Sequence, residues 1–181
     1  MTRIPTGSLV MAATLCAAIG CQPQQAVHAP LGLGGPGAII APHEGLAPPP
    51  FDDGRSMLLK VGPTLSNSTH LFLAAEDMPP GTAIPVHRHE VHEEVLFVHR
   101  GQVAILLGER EAVAPAGSTV YIPAGTWIGV HNTGRDTATV IGVFAQAEVE
   151  ACFTRLARHL TPADSATLER RCQMTFLSDA R

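Results

Sequence analysis

The chain is expected to be all-β, a sandwich or closed barrel, and three observations carry that expectation. Between Phe51 and Gln146, short runs rich in Val, Ile and Leu recur at about ten-residue spacing, the rhythm of strands in a compact β domain. Gly and Pro punctuate the runs, most sharply at Pro79-Pro80-Gly81 and Pro123-Ala124-Gly125, which favours closure over a flat sheet. The sequence on either side of this stretch has a different character, without periodicity before it and with helical periodicity after it.

Residues 1–20 are expected to be a signal peptide rather than part of the fold. Arg3 supplies a short positive start, and the uncharged stretch from Gly7 to Gly20 is too short to span a bilayer and long enough for an export signal. It ends in Ala18-Ile19-Gly20-Cys21, which resembles a bacterial lipobox. That resemblance implies lipidation of Cys21 and a membrane-anchored lipoprotein facing the periplasm or the cell exterior. Ordinary secretion and a plain N-terminal anchor remain open, since Ala18 stands where a lipobox usually carries Leu.

Residues 21–50 are rich in Pro, Gly and Ala, nearly uncharged and without periodicity. Such a segment buries too little apolar surface to offset its ordering entropy, so it is read as a disordered tether. His28 and His43 fall in it as solvated bystanders.

The barrel is expected over 51–146. Its candidate strands are 57–61, 70–76, 83–89, 94–100, 103–107, 111–114, 119–122, 128–131 and 137–144. After Ala147 the period changes: Val149, Cys152, Phe153, Leu156 and Leu160 make one apolar helical stripe. Thr161-Pro162-Ala163-Asp164 then reads as a second helix start, with Thr as cap and Pro in the first turn. Residues 147–181 are therefore expected to be a helical hairpin that packs on the barrel or partly covers its mouth. Cys152 and Cys172 either pair, in a disulfide-permissive compartment, or sit apart as small buried hydrophobes.

Composition excludes some partners. The 181 residues carry a net charge of −4 with one Trp and one Tyr, which leaves neither a basic face nor a stacking platform for nucleic acid. Contact with a membrane is expected through the lipid anchor only.

The chemistry concentrates between Gly81 and Gly101. His87 and His89, two residues apart on one strand, point to the same face, and a hairpin returns Glu94 beside them. Two imidazoles and a carboxylate with further positions open suit a divalent transition metal: iron, manganese, zinc or nickel.

The spacing Gly81-x5-His87-x-His89-x4-Glu94-x6-Gly101, followed by Gly117-x5-Pro123-x-Gly125 and then Asn132, resembles the two signature motifs of the cupin superfamily. The surrounding chain is similar to quercetin-dioxygenase-like cupins. The resemblance implies a cupin double-stranded β-helix, a jelly-roll barrel, and a homodimer formed by sheet packing. It gives His87, His89 and Glu94 as three of the four metal ligands. The fourth, a His in the family, falls on Ile128, which has no lone pair to offer. His131 has the opposite strand parity and points away, unless a bulge near Gly129 turns it inward as a fourth ligand.

Three ligands still leave room for chemistry, as in non-haem iron oxygenases or catalytic zinc sites. A decayed, metal-free cluster is the competing reading. The candidate catalytic residues are Glu93 and His92, each otherwise a solvated turn residue, while His99 has outward parity. Trp127 either lines a ligand pocket or packs against the barrel. The function expected is a metal-dependent, dioxygenase-like enzyme acting on a small organic molecule. Its alternatives are a non-catalytic small-molecule-binding lipoprotein and a structural envelope protein, because fold alone does not decide function.

Overall fold

A computed structural model of the chain describes residues 37–156, 170 and 172–177. In chain order these form β1 (Ser56–Val61), α1 (Pro63–Ser66), β2 (Phe72–Met78), β3 (Ala83–His89), β4 (Glu94–Arg100), β5 (Gln102–Leu107) and β6 (Arg110–Pro115). There follow β7 (Thr119–Ile122), β8 (Ile128–His131), β9 (Ala138–Phe144), a 3-10 turn (Ala147–Val149), α2 (Glu150–Leu156) and β10 (Met174–Phe176). The strands make two antiparallel five-stranded sheets, in the orders β1-β2-β9-β4-β7 and β10-β3-β8-β5-β6, the double-stranded β-helix expected from the sequence.

Alternation builds the interior. In β2, Phe72, Ala74, Glu76 and Met78 are buried, while Leu73 and Ala75 are half-buried and Asp77 is exposed on the other face. In β4, Glu94, Leu96 and Val98 point in and Val95 points out. The apolar core falls into two clusters. One includes Leu96, Val98, Val103, Ile105, Ile122 and Ile128, and the other Met57, Leu59, Phe72, Ala74, Phe144 and Val149. The polar residues described below lie between these two clusters.

Four expected strands, 83–89, 94–100, 119–122 and 128–131, occur with the bounds read from the sequence, and the other five shift by one or two residues at one or both ends. The segment expected to be a tether reaches the barrel before its end. Leu46 forms a β-bridge with Leu59, and the Lys60 ammonium donates to the carbonyls of Ala41 and Glu44. Residues 1–36, with the expected signal and Cys21, lie outside the described residues.

The C-terminal part differs from a helical hairpin. The first expected helix is present as α2, and most of the second, over 161–172, lies outside the described residues, although Arg170 and Cys172 are helical. Beyond it comes a strand that helical periodicity gave no reason to expect. β10 pairs antiparallel with β3, setting Met174 opposite His89 and Phe176 opposite His87. It covers the open edge that β3 would otherwise present, which is why three residues suffice to hold it. Cys152 and Cys172 are paired, with Cα atoms 5.7 Å apart, and tie α2 to the start of β10.

Two stability outcomes follow from this architecture. Gly101 turns the chain from β4 to β5 at φ +75°, and a Cβ there would stand 2.9 Å from the Ala138 Cα. Gly101→Ala is expected to lower unfolding stability by about 1–3 kcal/mol through combined backbone strain and contact. A urea midpoint unchanged from the parent would contradict this. The disulfide spans 20 residues of chain. Its removal in Cys152→Ala/Cys172→Ala is expected to cost about 2–4 kcal/mol, measured by the same unfolding experiment under non-reducing conditions.

Candidate metal centre

His87 and His89 come from the end of β3 and Glu94 from the start of β4, and one ligand atom from each lies within 4.8 Å of the others. All three are buried. The His89 Nε2 is 3.5 Å from Glu94 Oε2, and the two imidazole rings meet edge to face with centroids 5.0 Å apart.

The local backbone explains the convergence. In β3, the pairing to β8 steps from Ile84–Val130 to His87–Ile128, so β3 carries one extra residue at Pro85-Val86. Proline has no ladder N–H to lose, which suits it to this bulge. The bulge also lets Ile84 and His87 share the barrel interior, which simple alternation forbids. The carbonyl of Pro85 meets His87 Nδ1 at 2.8 Å. Donation from Nδ1–H to that carbonyl leaves the Nε2 lone pair for a metal, the usual support of a ligating imidazole.

The second motif positions the first. Gly125 N–H donates to the carbonyl of His89 at 2.7 Å, and Asn132, fully buried, donates through Nδ2 to the carbonyls of Met78 and Asp136. Gly142 on β9 leaves space for the Glu94 carboxylate, since a Cβ there would lie 3.0 Å from Glu94 Oε1.

The donor set fits a metal ion on one further observation. Both ring nitrogens of His89 are buried without a hydrogen-bond partner. A buried, unsatisfied imidazole is costly, and coordination through one nitrogen removes much of that cost. A cavity of about 50 Å³ opens onto His87, His89 and Glu94, with room for an ion and water. Burial, and then the neighbouring His89, hold the His87 imidazole below its ordinary pKa, in the neutral form a metal requires.

The other sequence candidates are placed elsewhere. Ile128 is 1 % exposed, sits across from His87 and belongs to the apolar core, so the family's fourth-ligand position is filled by packing. His131 is exposed, and β8 pairs regularly with β5 through Gly129, so the bulge considered there does not occur. Glu93 is corrected as a catalytic candidate: it is exposed and accepts a hydrogen bond from the Tyr121 hydroxyl at 2.7 Å on the outer surface. His92 is also corrected. It is buried behind His89, its Nδ1 meets Gln146 Oε1, and it lines a separate cavity beside Cys152 and Cys172. His99 and His43 are exposed, as expected. Trp127 packs under the Arg88 guanidinium, 4.8 Å from its ring centroid, and lines neither cavity at the metal group.

One functional side chain escaped the sequence reading. Glu76 on β2 is buried, lines the same cavity as the three ligands and accepts from Arg55 Nη1 at 2.8 Å. Its signal was parity, because Phe72, Ala74, Glu76 and Met78 share one face. Burial, opposed by the Arg55 charge, raises its carboxyl to about 7.

That value gives a signed expectation. Between the ordinary carboxyl value of 4.5 and about 7 the folded chain binds the Glu76 proton more readily than the unfolded chain. The contribution of Glu76 to stability is therefore greatest below pH 4.5 and falls as pH rises through that window. In metal-free protein, Glu76→Gln is expected to gain stability relative to the parent across the window, on the order of 3 kcal/mol. Parallel stability–pH curves for the two proteins would refute it.

Comparison with known proteins agrees with the geometry. Residues 75–144 match the family model described as "Cupin domain". Auxin-binding protein 1 of Arabidopsis thaliana is 26% identical over 106 residues, covering 54% of this chain and 53% of that protein, so the chain spans about half the length of this curated relative. Two solved structures share the fold. An RmlC-like cupin from Shewanella frigidimarina has a TM-score of 0.51 at 17% identity, covering 61% of this chain and 92% of its own. The polyketide cyclase RemF from Streptomyces resistomycificus also has a TM-score of 0.51, at 18% identity, covering 59% and 77%. The barrel is a cupin double-stranded β-helix, and the matched domain with its neighbours supports the cupin superfamily.

Proposed function

We propose that this chain is an exported cupin-domain protein whose His87, His89 and Glu94 hold a divalent transition metal and act on a small organic molecule in a dioxygenase-like reaction. The observation that carries the reading is the convergence of the three donors around His89, whose ring nitrogens have no hydrogen-bond partner. Iron, manganese, nickel or zinc each suits the set. When bound, such an ion supplies open coordination positions and Lewis acidity. The protein's own part is to keep His87 neutral, to hold Glu94 against Gly142, and to surround the group with largely apolar walls.

A second reading, a non-catalytic small-molecule-binding lipoprotein, is favoured by the similarity to a relative named for binding auxin. Export in either case is supported by the N-terminal apolar stretch and by the Cys152–Cys172 disulfide, since such bonds persist in oxidising compartments. The membrane is reached through lipid on Cys21. A homodimer is supported by the outer face of the first sheet, where Val95 and Tyr121 are exposed cross-strand neighbours.

Metal analysis of the purified full chain is expected to find close to one ion per chain, with His87→Ala/His89→Ala losing at least about tenfold in affinity. A parent protein holding no more metal than the double variant would remove the basis of the reading. Oxygen uptake that requires both metal and ligand marks the enzyme, and saturable ligand binding without turnover marks the binding protein.

A further inference from the structure

A second cavity, about 260 Å³, opens beside the metal group and shares Glu76 and His87 with it. Its polar end is Arg55 with Glu76, and Met57, Ile84, Phe153 and Phe176 are among its apolar walls. Arg55 is 7 % exposed and lies 4.4 Å over the Phe51 ring. Its Nε donates to Asp53 at 2.7 Å and its Nη1 to Glu76 at 2.8 Å, while Nη2 makes no hydrogen bond to any described residue. The Asp53 side chain is 38 % exposed, so water screens its charge and it offsets the guanidinium only in part.

Apart from Glu76 and His87 the space is walled by apolar side chains, and at its end Arg55 Nη2 can donate a charge-assisted hydrogen bond to a carboxylate oxygen. The remaining walls would cover an apolar body. No second Arg or Lys lines the cavity, which disfavours a diacid. At about 260 Å³ the cavity falls just under the roughly 300–1,000 Å³ of common ligand pockets, which restricts it to a small molecule.

We propose that this cavity binds a small aromatic or branched aliphatic monocarboxylic acid, with its carboxylate on Arg55 and its apolar body among Ile84, Phe153 and Phe176. The bound molecule extends toward His87, so the proposal names the ligand class of the site above. It rests on that reading only for what happens next to the metal.

Calorimetric titration of the full chain with phenylacetate, with benzoate and with the neutral phenylacetamide tests it, in metal-loaded and chelator-stripped protein. At least one acid is expected to bind saturably, with affinity in the stripped protein within about threefold of the loaded protein. Phenylacetamide is expected to bind at least about tenfold more weakly than the acid, and Arg55→Gln to lose a similar factor. Because Arg55→Gln breaks a buried pair and risks unfolding, Ile84→Trp provides a second variant that fills the cavity and leaves Arg55 in place. It is expected to abolish acid binding.

Equal affinity for acid and amide, unaltered acid binding in folded Ile84→Trp, or no saturable binding of either acid overturns the proposal. Acid binding that vanishes on stripping also overturns it, by placing the carboxylate on the metal, and leaves the metal reading intact. Acid binding that persists in a protein unable to hold metal sustains the proposal and removes the metal reading instead.

Discussion

Desolvation of four titratable side chains inside one barrel is the constraint around which this structure is arranged. His87, His89, Glu94 and Glu76 are all buried between two apolar clusters, where an unpaired polar group is expensive. Each has an arrangement that answers this cost. The Pro85 carbonyl takes the His87 Nδ1, Arg55 takes Glu76, and the missing side chain of Gly142 gives the Glu94 carboxylate its space. His89 is the exception: both its nitrogens lack a hydrogen-bond partner, and that is where the pressure to bind something is greatest.

Ile128, at the position where the resemblance led us to expect a fourth ligand, shapes this balance by packing. Ile128 joins the core beneath the ligand strand, so that side of the group has become a packed apolar floor. A further polar group lies on another strand, β2. Glu76, with Arg55 behind it, brings a charged pair to the opposite region of the same interior, where it links the small cavity at the metal group to the larger one beside it. The two cavities therefore form one chemical environment, with donors for a cation at one end and for an anion at the other.

The legible parts of this molecule are those where local pattern and tertiary role agree. Strands 83–89 and 94–100 could be bounded from the sequence because alternation, turn glycines and the ligand spacing all mark the same residues. Glu76 ends the expected strand 70–76, and parity with Phe72 and Ala74 is a weak local mark of enclosure for an acid at a strand terminus. The Pro85 bulge could not be read, because only pairing with β8 reveals the extra residue. β10 was hidden by its length, since three residues carry no period, and its pairing depends on an edge 85 positions earlier in the chain, from Met174 back to His89. The strand order of the two sheets is likewise a property of distant contacts that no local window contains.

β10 bears on the order in which the molecule is completed. During vectorial synthesis the ligand strand β3 emerges long before the strand that flanks it, and the intervening residues include every other described strand except β1 and β2. Pairings across so long a separation form late, because loop closure must precede their reward. The barrel can thus close around His87 and His89 while their outer edge is still open. The ligand strand becomes an interior strand only once the chain has folded back to place β10 beside it. Until that pairing forms, the strand that carries both histidines keeps one unpaired backbone edge, and the segment that completes it follows every other described strand in the chain.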